Sequence, residues 1–152
     1  MSNQSGLAGL IVSIIDLFKK IPHDLIAILS RFVVGMVFWQ SGLTKIEGFS
    51  IKASTFYLFA NDFKLPFLPP EVAAYMATAA ELTCPILLWL GLGTRFAALA
   101  LLIMTLVIEI FVFPGSYVTH GLWAIGLLYL MKYGPGVLSA DHFIAKSRGL
   151  AD

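Results

Sequence analysis

In residues 7–21, Leu7, Leu10, Ile11, Ile14, Ile15, Phe18 and Ile21 recur at three- and four-residue spacing. Ser13, Asp16, Lys19 and Lys20 fall mainly off that stripe. The pattern predicts an amphipathic helix with one apolar face, of the kind that lies in the membrane interface. Pro22 breaks it. Longer apolar stretches follow at 24–45, 71–91, 95–113 and 118–133. At ~1.5 Å per residue, some twenty helical residues cover the ~30 Å hydrocarbon layer of a bilayer. These stretches therefore predict four transmembrane helices, the last one short. Leu65 to Pro70 ends the connection before the second span, and its prolines suit a helix start. Gly91 and Gly93 close that span, and Thr94 reads as the N-cap of the next. Pro114 and Gly115 end the third span, Gly134-Pro135-Gly136 the fourth, and Ser139 caps a short interfacial helix over 140–147. The 46–70 connection is too polar to span, yet it carries Phe49, Phe56, Tyr57, Phe59, Phe63 and Phe67.

Composition agrees with lipid as the solvent. Hydrophobic residues make up 59% and charged residues 12% of the chain, and the mean hydropathy is +0.87. A water-soluble domain of 152 residues could not cover that much apolar surface. The expected fold is all-α: an integral membrane four-helix bundle over 23–138, preceded by the interfacial helix within 1–22 and followed by a cytoplasmic tail with its short helix, 139–152. A net charge of +1 gives no electrostatic case for nucleic acid. The N-terminus makes a poor signal peptide, because residues 1–6 lack Lys and Arg and the two lysines follow the apolar stretch. Cys84 is the single cysteine, so no intramolecular disulfide and no Cys-x-x-Cys motif can form. Lys19, Lys20, Arg95, Lys132, Lys146 and Arg148 fall on one side of a four-span topology, and Lys45, Lys52 and Lys64 on the other. That bias predicts both termini in the cytoplasm and the aromatic 46–70 segment outside.

Three charged residues, Arg31, Glu81 and Glu109, interrupt the spans. Each costs a few kcal/mol in the membrane, so each should face the bundle and find a partner. If the spans sit flush with the bilayer, Arg31 lies ~9 Å from one face and Glu81 ~15 Å from the other. The remaining ~6 Å of a ~30 Å core is within reach of an arginine. An Arg31–Glu81 ion pair is expected, acting as an assembly lock between helices or as part of a functional site. Near the opposite face, Gln40, Lys45, Glu109, His120 and Trp123 share a depth within about 8 Å of the surface. Lying under an aromatic connection, they form a candidate pocket, with an interfacial fringe of snorkelling and belt residues as the alternative. No His, Cys or carboxylate spacing suits a metal; Glu81 and Cys84, three residues apart, make a poor site.

These landmarks resemble the DoxX family. The segments are Arg31-Phe-Val-Val-Gly35, Phe38-Trp-Gln-Ser-Gly42-Leu-Thr-Lys45, Glu81, Gly91-Leu-Gly-Thr-Arg95-Phe-Ala-Ala, Glu109-Ile-Phe-Val-Phe-Pro114, His120-Gly-Leu-Trp123 and Gly134-Pro-Gly136-Val-Leu-Ser139-Ala-Asp141. They run in order over residues 25–143, with Ala140 standing where a leucine is common. The resemblance implies a four-helix bacterial inner-membrane protein, often described as an oxidoreductase. Some relatives are tied to thiosulfate oxidation with quinone as acceptor, others to membrane complexes that handle oxidative stress. The Leu-Pro-Phe-Leu-Pro-Pro ending of the aromatic connection resembles a proteobacterial subgroup encoded beside proteins that mature copper-binding peptides. Two functions follow as expectations. One is a quinone-linked oxidoreductase subunit that receives electrons from a partner, with Glu109 and His120 as catalytic groups and Gln40, Lys45, Glu81 and Trp123 around the quinone. The other is a non-enzymatic membrane module that anchors a protein partner, self-associates, or binds a small molecule or metal peptide.

Overall fold

The computed structural model describes residues 6–149. The outermost parts of the predicted terminal segments, 1–5 and 150–152, lie outside the described residues. Among the described residues the fold is all-α apart from one hairpin of two two-residue strands. Helix α1 (Leu7–Lys19) buries none of its residues, consistent with a face meant for a surface other than the bundle. Four long helices follow: α2 (His23–Lys45), α4 (Pro70–Leu90), α5 (Thr94–Val107) and α6 (Tyr117–Tyr133). They close into a ring in which α2 packs on α4 and α6, and α5 packs on the same two neighbours. The core is apolar and centres on Phe38, Leu88, Leu101, Leu127 and Leu130, while leucine, isoleucine and phenylalanine also crowd the outer face. Three helices, His23–Lys45, Pro70–Leu90 and Thr94–Val112, are long and apolar enough to cross a membrane. Helix α6, with 17 residues, is ~26 Å long and completes the ring.

The aromatic connection is more ordered than its sequence suggests. Ile46–Glu47 (β1) pairs antiparallel with Ser50–Ile51 (β2), and helix α3 (Ala53–Asn61) follows. Both are fixed by the unpaired carbonyls at the end of α2. Lys52 N and Thr55 Oγ1 each donate to Lys45 O at 3.0 Å, and Lys52 Nζ donates to Thr44 O at 2.9 Å. Helix α3 is thereby laid over the hairpin end of the bundle, where Phe59 packs on Ala73 and Ala74 of α4.

The opposite end is locked by polar contacts. Helix α4 ends at Gly91 in the left-handed conformation, with Leu92 N donating back to Leu87 O at 2.9 Å, a turn that favours glycine. A Cβ on Gly91 would also overlap Ser139 and the Arg31 guanidinium. The start of α5 is capped by Asp141, just inside helix α7 (Ala140–Ser147). Its carboxylate accepts from Gly93 N at 2.7 Å and Thr94 N at 3.0 Å. The expectation of Thr94 as the N-cap is thus corrected: Thr94 is the first helical residue, and a carboxylate from far along the chain does the capping. Ser139 does cap α7, accepting from His142 N at 3.2 Å.

Two irregularities fall beside the charged residues. Pro85 lies inside α4, so the carbonyl of Glu81, four residues earlier, loses its helical donor. At the end of α5 the chain widens into a π turn, Ile108–Val112, closed by Phe113 N to Ile108 O at 2.8 Å. Such single turns re-aim side chains, often at functional positions. The residue re-aimed here is Glu109.

Candidate functional site

A cavity of about 790 Å³ lies in the hairpin half of the bundle, between α2, α4 and α5 and beneath α3. Its walls are mainly apolar, and among the described residues its polar lining includes Ser41, Lys45, Glu81 and His120. Lys45 and Glu81 form a buried ion pair, Nζ to Oε2 at 2.7 Å, with 9% and 4% of their side chains exposed. Ser41 ties the pair together: it accepts from Lys45 Nζ at 3.0 Å and donates to Glu81 Oε1 at 3.1 Å. Glu81 thus has one oxygen on the Ser41 hydroxyl and the other against the Lys45 ammonium.

The expected Arg31–Glu81 pair does not form. Arg31 instead donates to four backbone carbonyls: Leu88 and Trp89 at the end of α4, each at 2.6 Å, and Pro135 and Leu138 before α7, at 3.0 and 2.9 Å. The reason is register. The depth estimate assumed helices flush with one another, whereas the first turns of α4 stand beyond the end of α2 and pack on α3. Glu81 therefore lies level with the reach of Lys45. Arg31 lies about seven residues, or ~10 Å, further along α4. There its planar fork of donors satisfies carbonyls that α4 leaves open. Arg31 belongs to the structural lock at the end opposite the cavity.

His120 lines the cavity from the first turn of α6. Its Nδ1 lies 2.5 Å from Glu109 Oε2, and Glu109 Oε1 accepts from Gly115 N at 3.0 Å. A carboxylate only accepts, so Nδ1 is the donor and Nε2 remains as the ring's second polar atom. Glu109 does not line the cavity, and 24% of its side chain is exposed. It holds His120 from the surface side. Trp123, one turn after His120, lines the cavity with its ring 4.9 Å from His120 and 5.6 Å from Phe38. The structure thus brings Lys45 to Glu81 and Glu109 to His120, and sets Trp123 beside His120. Gln40 is not among them: it is exposed on the outer face of α2 and lines no part of the cavity.

Sequence reading missed Ser41, whose i, i+4 spacing to Lys45 was the available signal. Pro85 beside Cys84 was a second visible cue, whereas the π turn leaves no mark in hydrophobic periodicity. Cys84 is buried, and no group of three or more metal-ligating side chains converges among the described residues.

Helices of this length and hydropathy, closed around a buried polar cluster, define an all-α, multi-pass membrane protein that sits in the lipid bilayer. The chain belongs to the DoxX family, whose model matches residues 26–114, from α2 through the π turn. It is similar to an uncharacterized protein of Haemophilus influenzae, 32% identical over 126 residues that cover 76% of this chain and 81% of the relative. No solved structure matches.

Proposed function

We propose that this protein is a quinone-linked oxidoreductase subunit of the bacterial inner membrane, with the cavity as the quinone site and a protein partner delivering the electrons. One observation carries the reading: an apolar cavity of about 790 Å³ whose ionisable lining groups are Lys45, Glu81 and His120, with Ser41 tying the first two. Its volume lies within the ~300–1,000 Å³ of ordinary ligand sites. Apolar walls with a few convergent polar groups suit a ring that carries two carbonyl or hydroxyl oxygens. A bound quinone or quinol would supply two-electron, two-proton redox chemistry. Lys45 can exchange its weak 3.4 Å contact with Ser41 O for a ligand oxygen while it stays paired to Glu81. His120, with Nδ1 committed to Glu109, offers Nε2 to a ligand hydroxyl, and Glu109 stabilises the ring when it carries the extra proton. Trp123 and Phe38 supply aromatic faces for a flat ring. In this reading α6 is the fourth span, both termini are cytoplasmic, and α3 lies on the outer face, as the lysine and arginine distribution favours.

The test is a mass spectrum of what the protein carries when purified from membranes in mild detergent. Near-stoichiometric quinone, lost on Lys45→Met, is the expected result. A stoichiometric protein partner with no small molecule would overturn it. That outcome would favour a membrane module without catalysis, a reading supported by α1, none of whose residues is buried against the bundle.

A further inference from the structure

The cavity has a side facing the hydrocarbon. Its wall between α4 and α5 includes Met76, Ala80, Ala100 and Ile103. Met76 is 57% and Ile103 53% exposed on the outer surface of the bundle, and Ala100 is exposed beside them. Counted from the Gly91–Gly93 turn at the other end, Met76 lies about fifteen residues, ~22 Å, along α4 and Ile103 about ten residues, ~15 Å, along α5. Both distances fall within a hydrocarbon layer of ~30 Å that starts at that turn. Alanines leave the gap open, because Ala77 and Ala80 on α4 face the cavity together with Ala100 on α5. Met76 at the rim is unbranched and yields easily.

The water end of the same gap is closed. Phe67, in the segment before α4, packs edge-on against Phe111 of the π turn at 5.4 Å. Phe63 packs likewise against Phe113 at 5.4 Å. These pairs bolt the connection across the top of α5. On the α2 side, Thr44 is held by its bond to Ser41 O at 2.7 Å and by Lys52.

We infer that the ligand enters sideways from the bilayer between α4 and α5, and that its apolar chain stays in that gap while its polar ring reaches Lys45, Glu81 and His120. The inference rests on the quinone-site reading and extends it to the class of ligand: a lipid-soluble molecule with a long chain, delivered by the membrane and not by water. An opening at this depth offers the chain hydrocarbon contacts throughout, so seating the ring requires no passage of the chain through water.

Trp123 is one of three tryptophans, and Trp39→Phe with Trp89→Phe leaves it as the reporter inside the cavity. The full chain carrying these changes, in phospholipid nanodiscs, is titrated with two probes. One is a benzoquinone with a long isoprenoid chain bearing a diazirine at its end; the other is the same ring without a chain. Both should quench Trp123. On irradiation the chain should label residues 76–80 and 100–107, and excess non-photoreactive quinone should abolish that labelling. Ala80→Phe should weaken the long-chain probe at least tenfold and the chainless ring by a smaller factor. Competable labelling at 44–58 instead, with quenching retained, overturns the lateral entrance and leaves the quinone site standing. No quenching by either probe overturns the site itself. Should Ala80→Phe fail to fold, the labelling pattern of the chain with native Ala80 decides.

Discussion

Lys45, the last residue of α2, reaches down to meet Glu81 in the middle of α4 at 2.7 Å, and neither side chain is more than a tenth exposed. Burial makes each charge dependent on the other, since a buried ion stranded by loss of its partner costs about 3–5 kcal/mol. Lys45→Met alone and Glu81→Leu alone should each destabilise by that order in a detergent unfolding titration. The double variant should recover much of the sum, giving a coupling of at least 1 kcal/mol. Additive losses would show that the two do not interact.

Arg31 gives the complementary expectation. It shares no partner with Glu81, because its bonds go to the carbonyls of Leu88, Trp89, Pro135 and Leu138. Arg31→Met should cost roughly 3–5 kcal/mol through the loss of several charge-assisted bonds. Arg31→Lys should recover only part, since an ammonium cannot reproduce the planar fork. Combined with Glu81→Leu, the losses should add within about 0.5 kcal/mol. A coupling above 1 kcal/mol in the same titration would restore the direct pair that depth alone suggested.

That contrast marks where sequence reading reached and where it stopped. Periodicity located the long helices within a few residues, and Ser139 announced α7, because both signals are local. Charges inside apolar runs pointed to Glu81 and Glu109, because an unpaired charge in lipid is costly wherever it sits, and shared depth near one face added Lys45 and His120. What failed was relative register. A single chain does not reveal how far α4 stands past α2, so Arg31 and Glu81 seemed level. The exposed face of Gln40 was equally hidden, since depth ranks residues along a helix but does not orient them around it. The hairpin and α3 escaped notice because the carbonyls of Thr44 and Lys45 organise them, and those are tertiary partners.

Sidedness is open to direct chemistry. In a Cys84→Ala background, single cysteines at Asn61, beside the end of α3, and at Ser147, at the end of α7, mark opposite ends of the bundle. In intact cells, stripped of outer membrane where one is present, an impermeant thiol reagent should modify the cysteine at 61 and spare the one at 147 until the membrane is permeabilised. The excess of lysine and arginine at the termini motivates that direction. The reverse labelling pattern would invert the topology and place the cavity on the cytoplasmic side.

The pairing of His120 with Glu109 supports the sharpest expectation about activity. His120 faces the cavity, whereas Glu109 lies outside its lining and is hydrogen-bonded to His120 and the Gly115 backbone. The two should therefore fail differently. His120→Ala removes the group that meets the ligand and should abolish complementation in a strain lacking the gene. Glu109→Gln keeps the shape and can still accept from Nδ1, but it removes the charge that stabilises a protonated ring. It should lower activity by about tenfold to a hundredfold, the worth of one charge-assisted hydrogen bond. Gln40→Ala, on the exposed face of α2, should complement as well as the parent. Protein level and membrane insertion, followed by immunoblot of washed membranes, must stay normal in all three for the comparison to count. If His120→Ala and Glu109→Gln both complement fully at normal levels, the histidine and its carboxylate are interfacial decoration. The catalytic reading then falls, and a membrane module without chemistry of its own takes its place.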